Sequence, residues 1–167
     1  MFRRIAIHIF FDRWRIFLNP KIMKVVAYIT RTVPGNPESI QLLVNVHTDL
    51  PEAGIQVPAG TIEAGETAEV AVIREVYEET GLNEATIIAK ITEYDYFYEP
   101  RKEIHQRNVF LLSLNEKPKD EWETTEVTPS GHIIKLRHYW IDINSEIELA
   151  VGQGDFIHVI ESLVNNE

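Results

Sequence analysis

Three glutamates near the middle of this 167-residue chain have a spacing that suits metal chemistry. On a helical wheel of about 100° per residue, Glu75 and Glu79 fall inside the apolar stripe formed with Val72 and Val76, and Glu78 borders them. Two carboxylates therefore lie on the face that should be buried. Crowded, half-buried carboxylates are costly unless a cation joins them or they keep their protons. Hard divalent ions with oxygen ligands, Mg²⁺ first, are the natural partners.

A loop must precede this helix and a stop must follow it. Gly60 and Gly65 lie in the preceding loop, Thr67 is a candidate N-cap, and Gly81 is placed to end the helix in a left-handed conformation. The alternative for Glu-x-x-Glu-Glu taken alone is an ordinary solvated acidic helix with ion pairs at i,i+4.

The whole stretch from residue 60 to residue 82 resembles the signature of the Nudix hydrolases. That signature is a glycine, five residues, Glu, seven residues, and then Arg-Glu-aliphatic-x-Glu-Glu-x-Gly-aliphatic. All nine specified positions match, at Gly60, Glu66, Arg74, Glu75, Val76, Glu78, Glu79, Gly81 and Leu82. The resemblance implies an α/β sandwich with a mixed β-sheet. It also implies Mg²⁺-dependent hydrolysis of a pyrophosphate bond in a nucleoside diphosphate linked to another moiety, with Mn²⁺ as a possible substitute for Mg²⁺.

Carried over position by position, the resemblance assigns roles within the motif. Glu75 and Glu79 are the expected metal ligands, and Glu78 shares the site or binds a further ion. The backbone carbonyl of Ala59 or Gly60 is expected to help hold the metal. Arg74 is expected to orient the glutamates through ion pairs. Glu66 and Gly81 are expected to be structural.

The general base is open on the sequence alone, because family members draw it from the helix or from an acid on a distant loop. Glu78 and Glu79 are the helix candidates. Glu121, Glu123 and Glu126 are the loop candidates, and we take Glu123 as their representative. The alternative for each loop acid is that it only solvates the loop.

Aromatic residues after the motif could bind a nucleobase. Tyr98 and Phe97 are the expected stacking residues, although alternating aromatics on a strand often pack in a core. The subclass signals conflict. Tyr98 lies where the dinucleoside-polyphosphate type has a tyrosine, whereas Pro100 and the entry at 57–60 resemble the ADP-ribose and nucleotide-sugar type.

The remaining pattern predicts the elements that position the motif. We expect a hairpin of strands over 23–31 and 40–48, strands over 85–99, 108–114 and 132–143, a loop over 115–130 and an amphipathic helix over 154–164. Residues 23–167 are expected to form one Nudix domain. Residues 1–22 are expected to be an extension packed on the core, as two short strands or as a basic amphipathic segment.

Composition limits the partners. A net charge of −10 argues against a nucleic-acid polymer or an anionic membrane as partner, because both are bound through clustered Lys and Arg. The absence of cysteine fits a cytoplasmic protein. We therefore expect a small-molecule nucleotide as substrate and allow for a homodimer. The alternative function is a Nudix-like nucleotide-binding sensor without turnover.

Overall fold

The strands and helices of the protein are defined by a computed structural model that describes residues 21–33, 35–115, 117–128 and 130–164. The strands are β1 (Lys21–Val33), β2 (Asn36–His47), β3 (Ala59–Thr61), β4 (Ala85–Tyr98), β5 (Glu103–Leu114), β6 (Glu121–Val127) and β7 (Ile133–Asp142). The α-helices are α1 (Ala68–Thr80) and α2 (Ile160–Val164). Single 3₁₀ turns lie at Pro51–Ala53, Glu99–Arg101, Ala150–Gly152 and Ile157–Val159.

One mixed sheet contains all seven strands. Its order is β4-β5-β1-β2-β7-β6, and the short β3 pairs with β1 beside this path. The first part of β1 runs parallel to β5, whereas its end pairs antiparallel with β2. The predicted hairpin of the first two strands is therefore confirmed, and so is the mixed sheet.

Alternation along the central strands gives the sheet two apolar faces. Val25 and Ile29 of β1 pack in the same cluster as Val72 and Val76 of α1. Tyr28, from the opposite face of β1, packs in a second cluster that includes residues of the C-terminal segment. The helix and the C-terminal segment thus cover opposite faces of the sheet, which confirms the α/β sandwich.

The prediction of a loop over 115–130 is wrong for its central part, because Glu121–Val127 forms the edge strand β6. Trp122, Thr124 and Glu126 are partly buried, and the residues between them are exposed. Only one of these three inward side chains is apolar. The sequence of this strand therefore lacks the alternation of apolar and polar residues that predicts a strand.

Two other boundaries also differ from the predictions. The partner of β4 begins at Glu103 rather than at residue 108, so His105 and Gln106 lie within β5, opposite Tyr96 and Asp95. The predicted helix over 154–164 is instead a 3₁₀ turn followed by the five-residue α2. Pairing with β4 extends β5. The backbone at Phe156 is not helical, with φ of −117° and ψ of 13°, so the helical segment begins only after it.

The predicted extension over 1–22 falls almost entirely outside the described residues. Lys21 and Ile22 are described, and both belong to β1. Within the described ranges, no helix has the length and apolar character needed to cross a bilayer.

Candidate active site

Helix α1 begins and ends where the sequence predicts. The Thr67 hydroxyl accepts a hydrogen bond from the Val70 N–H at 3.4 Å, which caps the first turn. Gly81 adopts a left-handed conformation with φ of 74°, and its N–H donates to the Tyr77 carbonyl. These two ends fix the limits of the helix, and the packing of Val72 and Val76 against β1 turns Glu75 and Glu79 inward.

The two glutamates on the apolar stripe are buried, each with only 8% of its surface exposed. The Glu75 carboxylate accepts from the Thr61 N–H at 3.1 Å, and the Glu79 carboxylate accepts from the Ala59 N–H at 3.3 Å. Asn45 of β2 donates its side-chain amide to the other Glu79 oxygen at 3.2 Å. Both carboxylates therefore point at β3.

Gly60 makes this approach possible. A Cβ added to Gly60 would lie 1.8 Å from the carboxyl carbon of Glu75, so any side chain there would displace the carboxylate. The first glycine of the motif is thus required by the close approach of a buried acid to a backbone strand.

Arg74 joins the loop to the helix acids. Its guanidinium forms ion pairs with Glu66 at 2.8 Å, Glu75 at 2.9 Å and Glu78 at 2.8 Å, and it donates to the Thr61 carbonyl. The hydrogen bond from Arg74 lowers the pKa of Glu66 to about 2, and the same partners raise the pKa of Arg74. The ion pairs expected of Arg74 are therefore present, and Glu66 ties the loop before the helix to this arginine.

This one arginine does not balance the negative charge that the deeper acids would carry when they are ionised. Burial raises the pKa of Glu75. Burial and then the nearby Glu126 carboxylate raise the pKa of Glu79 well above its usual range. Burial also raises the pKa of Glu126, and Glu78 adds to that shift. This set of oxygen donors would favour a hard divalent cation, because a cation would remove the repulsion among them.

The side chains alone do not complete a metal site. Among the described residues, no three His, Cys, Asp or Glu side chains are grouped closely enough to hold an ion. The Ala59 carbonyl points to the same side of β3 as the Ala59 N–H that bonds Glu79, so this backbone oxygen is available as a further donor, whereas Gly60 pairs with Val25 and its carbonyl points at β1.

Strand alternation separates the candidate bases on β6. Trp122 and Thr124 face α1, since both donate hydrogen bonds to its last carbonyls. Glu126 shares their face and interacts electrostatically with the helix acids. Glu123 is exposed on the other face and lies opposite Arg137 of β7. The fold therefore brings Glu126 to the site and does not bring Glu123.

A cleft of about 840 Å³ opens beside β3. Its lining includes Ala59, Gly60, Tyr98 and the basic residues Lys24, Arg101, His105 and Arg107. The Tyr98 ring stacks on the His105 ring, with centroids 4.9 Å apart and an interplanar angle of 22°. Phe97 alternates to the opposite face of β4, is 45% exposed and does not line the cleft.

Sequence reasoning missed several residues of the site. Asn45 lies in the middle of a β-branched and leucine-rich strand, where a lone amide was a weak signal. Lys24 donates to the Thr61 hydroxyl at 2.6 Å, and burial lowers its pKa. His105 lies before residue 108, outside the strands that the sequence predicts. Asn45, Lys24 and His105 lie outside the motif in the sequence. They come near it only through the pairing of strands, so no local pattern indicates their roles.

This fold and this site define a class: a mixed-sheet sandwich with an acidic helix face packed against a glycine-opened strand. The model of the NUDIX domain matches residues 25–159, and the chain belongs to this family.

Curated relatives support the same grouping. An RNA pyrophosphohydrolase from a Nitratiruptor species is 28% identical over 98 residues, covering 54% of this chain and 63% of the relative. One from a Sulfurovum species is 31% identical over 99 residues, covering 54% and 62%. Both matches span less than two thirds of the relative's length.

Solved structures share the fold at low identity. A C. elegans Ap4A hydrolase in a binary complex has a TM-score of 0.64 and 19% identity, covering 87% of this chain and 99% of that chain. A MutT protein from Methanosarcina mazei Go1 has a TM-score of 0.58 and 19% identity, covering 90% and 99%.

Proposed function

We propose that this protein is a metal-dependent pyrophosphohydrolase acting on a nucleoside diphosphate linked to another moiety. One observation carries the proposal: the buried carboxylates of Glu75 and Glu79 meet the glycine-opened strand β3 at the edge of a cleft large enough for a nucleotide. A purely structural domain would not need two buried acids on its main apolar stripe.

Glu75 and Glu79 would hold the metal together with the Ala59 carbonyl, which is on their side of β3, and Glu78 would lie beside them. A bound Mg²⁺ or Mn²⁺ ion supplies neutralisation of pyrophosphate charge and Lewis acidity at the attacked phosphorus. Arg74 keeps Glu75 and Glu78 in place through its ion pairs. Its role is positioning, since its donors are engaged by the protein.

Glu126 is the acid that we assign to proton removal from the attacking water. A general base works best with a pKa near the operating pH, and burial shifts the Glu126 pKa upward in that direction. Glu126 faces the helix acids from the neighbouring strand, whereas Glu123 faces away. This assignment replaces Glu123 as the base contributed from outside the helix.

The cleft supplies the features that a nucleotide requires. The Tyr98 and His105 ring pair offers a stacking surface, and Lys24 and Arg101 bring positive charge into a protein of net charge −10. The names of the similar proteins include an RNA pyrophosphohydrolase and an Ap4A hydrolase, so both substrate types belong in a test. The expectation of no nucleic-acid polymer remains a prediction.

The test is a screen of purified protein with Mg²⁺ or Mn²⁺ against nucleotide sugars, ADP-ribose, dinucleoside polyphosphates, nucleoside triphosphates and 5′-triphosphorylated RNA. We expect metal-dependent release of phosphate-containing products from a nucleoside-diphosphate-linked compound. Glu79→Gln should keep the fold and remove most of this activity, because the nearly isosteric amide lacks the charge that binds the metal.

Three outcomes would contradict parts of the proposal. Near wild-type turnover by Glu79→Gln at limiting Mg²⁺ would exclude the metal site. Tight nucleotide binding without any hydrolysis would favour the alternative of a sensor. Hydrolysis confined to the RNA would show that the substrate is a polymer end rather than a small molecule.

A further inference from the structure

We infer that Thr124 and His138 form a positioning relay, in which the His138 Nε2–H donates to the Thr124 hydroxyl and that hydroxyl donates to the main-chain carbonyl of Glu79. This relay would set the orientation of Glu79 from the sheet side of α1. The inference rests on the proposed function, since it gives these residues a role in holding a metal ligand.

The order of donors follows from the contacts. The Thr124 hydroxyl is hydrogen bonded to the Glu79 carbonyl and lies 2.7 Å from the His138 Nε2. A carbonyl only accepts, so the single hydroxyl proton of Thr124 is used there. The Nε2 atom must then carry the proton of its own hydrogen bond. The Nδ1 atom of His138 is left as a bare acceptor, and it has no hydrogen-bond partner among the described residues.

The histidine end of the relay is fully enclosed. His138 has no exposed surface, and the Trp122 ring stacks on its ring with centroids 5.0 Å apart and an interplanar angle of 25°. Trp122 also donates its indole N–H to the Thr80 carbonyl at 2.9 Å. Two successive carbonyls in the last turn of α1, which the helix itself leaves without partners, are therefore bonded by side chains of β6.

Glu79 is consequently held at both ends. Asn45 and the Ala59 N–H bind its carboxylate, and Thr124 binds its carbonyl. Asn45 and Trp122 are also the strand neighbours of His138 on either side, through β2 and β6. The Asn45–His138 pair therefore connects the residue that binds the Glu79 carboxylate with the histidine that bonds Thr124, which in turn binds the Glu79 carbonyl.

A merely structural hydrogen bond at a helix end would affect stability alone. If the hydrogen bond positions Glu79, its loss should also weaken metal binding. Without it the last turn of α1 would tilt and move the Glu79 carboxylate relative to β3. Partners that orient metal ligands typically change affinity by about 10- to 100-fold when they are removed. Metal affinity at a temperature far below unfolding therefore separates the two roles.

The experiment measures Mn²⁺ affinity of the purified full chain by calorimetry or by electron paramagnetic resonance. Thr124→Val removes the hydroxyl at nearly constant shape, Thr124→Ser retains it, and Thr125→Val is the matched control on the exposed face of the same strand. We expect Thr124→Val to weaken Mn²⁺ binding about tenfold or more, with Thr124→Ser restoring most of it. Thr125→Val should bind Mn²⁺ as the wild type does.

A second measurement uses the wild type and does not depend on any variant folding. Nitrogen-15 spectra of the histidine rings should show His138 as the Nε2–H tautomer at neutral pH. Finding the Nδ1–H tautomer would overturn the relay, as would wild-type Mn²⁺ affinity in a folded Thr124→Val. If the wild type itself bound no Mn²⁺ or Mg²⁺, the proposed function would fail, and the relay's role would fail with it.

Discussion

At the scale of single residues, the site depends on where a few carboxylates are forced to lie. Gly60 leaves room for Glu75 against the backbone of β3, and Asn45 fixes one oxygen of Glu79. Because these acids are buried, their pKa values are raised and they remain costly without a cation.

Glu126 is the residue whose role is most directly testable. We expect Glu126→Gln to lower kcat about 100-fold or more with little change in KM, because the amide cannot take a proton from water. Glu123→Gln is the matched comparison on the opposite face of the same strand, and it should alter kcat less than about twofold. Steady-state kinetics on the best substrate of the screen would measure both. The reverse result, with Glu123 essential and Glu126 dispensable, would restore the assignment made from sequence.

At the scale of elements, alternation along β4 decides which aromatic ring meets the cleft. Tyr98 lines it and stacks on His105, whereas Phe97 points to the other side, with Lys102 over its ring at 5.9 Å. The pairing of β4 with β5 sets this choice, since it places Tyr96, two residues before Tyr98 on the same face, opposite His105. Of the two rings predicted to stack a base, only Tyr98 is therefore placed to do so.

This difference yields a paired prediction. Ring stacking on a base is worth roughly 1 to 3 kcal/mol, so Tyr98→Ala should raise KM for the true nucleotide about tenfold or more. Phe97→Ala should leave KM within about twofold. Mn²⁺ affinity should be unchanged in both variants, because neither ring contacts the acidic helix face. Equal KM effects from the two substitutions would remove the stacking role of Tyr98.

At the scale of the whole molecule, the buried His138 links stability to pH. Burial lowers the pKa of His138 from its ordinary 6.5 to about 4. In the unfolded chain the ring takes up a proton near pH 6.5, whereas in the folded protein it stays neutral until about pH 4. The unfolded state therefore binds more protons between these values, and the free energy of unfolding falls as pH falls through this window.

The effect of this one ring should be large enough to measure. His138 alone should lower the free energy of unfolding by up to about 3 kcal/mol between pH 7 and pH 4. Urea unfolding across this range should show the fall, and His138→Gln should flatten it. His132→Gln, at an exposed position, is the control and should leave the slope unchanged. A slope in His138→Gln equal to that of the wild type would assign the pH dependence to other groups.

The sequence by itself determined what local physics and short spacing encode. Helix α1, its Thr67 cap, its Gly81 stop and the burial of Glu75 and Glu79 all follow from a 3.6-residue period and from residues with specific backbone preferences. The mixed-sheet sandwich also followed, through the resemblance carried by the motif. These features need little information from distant parts of the chain.

Only the tertiary structure decided the parts that depend on strand pairing. Glu126 rather than Glu123 reaches the helix acids, and Tyr98 rather than Phe97 reaches the cleft, because a strand turns each successive side chain to the opposite face. Asn45 meets Glu79 through contacts between distant elements. No local period signals such contacts, so the sequence predicted the acids at the centre of the site while the fold chose the residues that surround them.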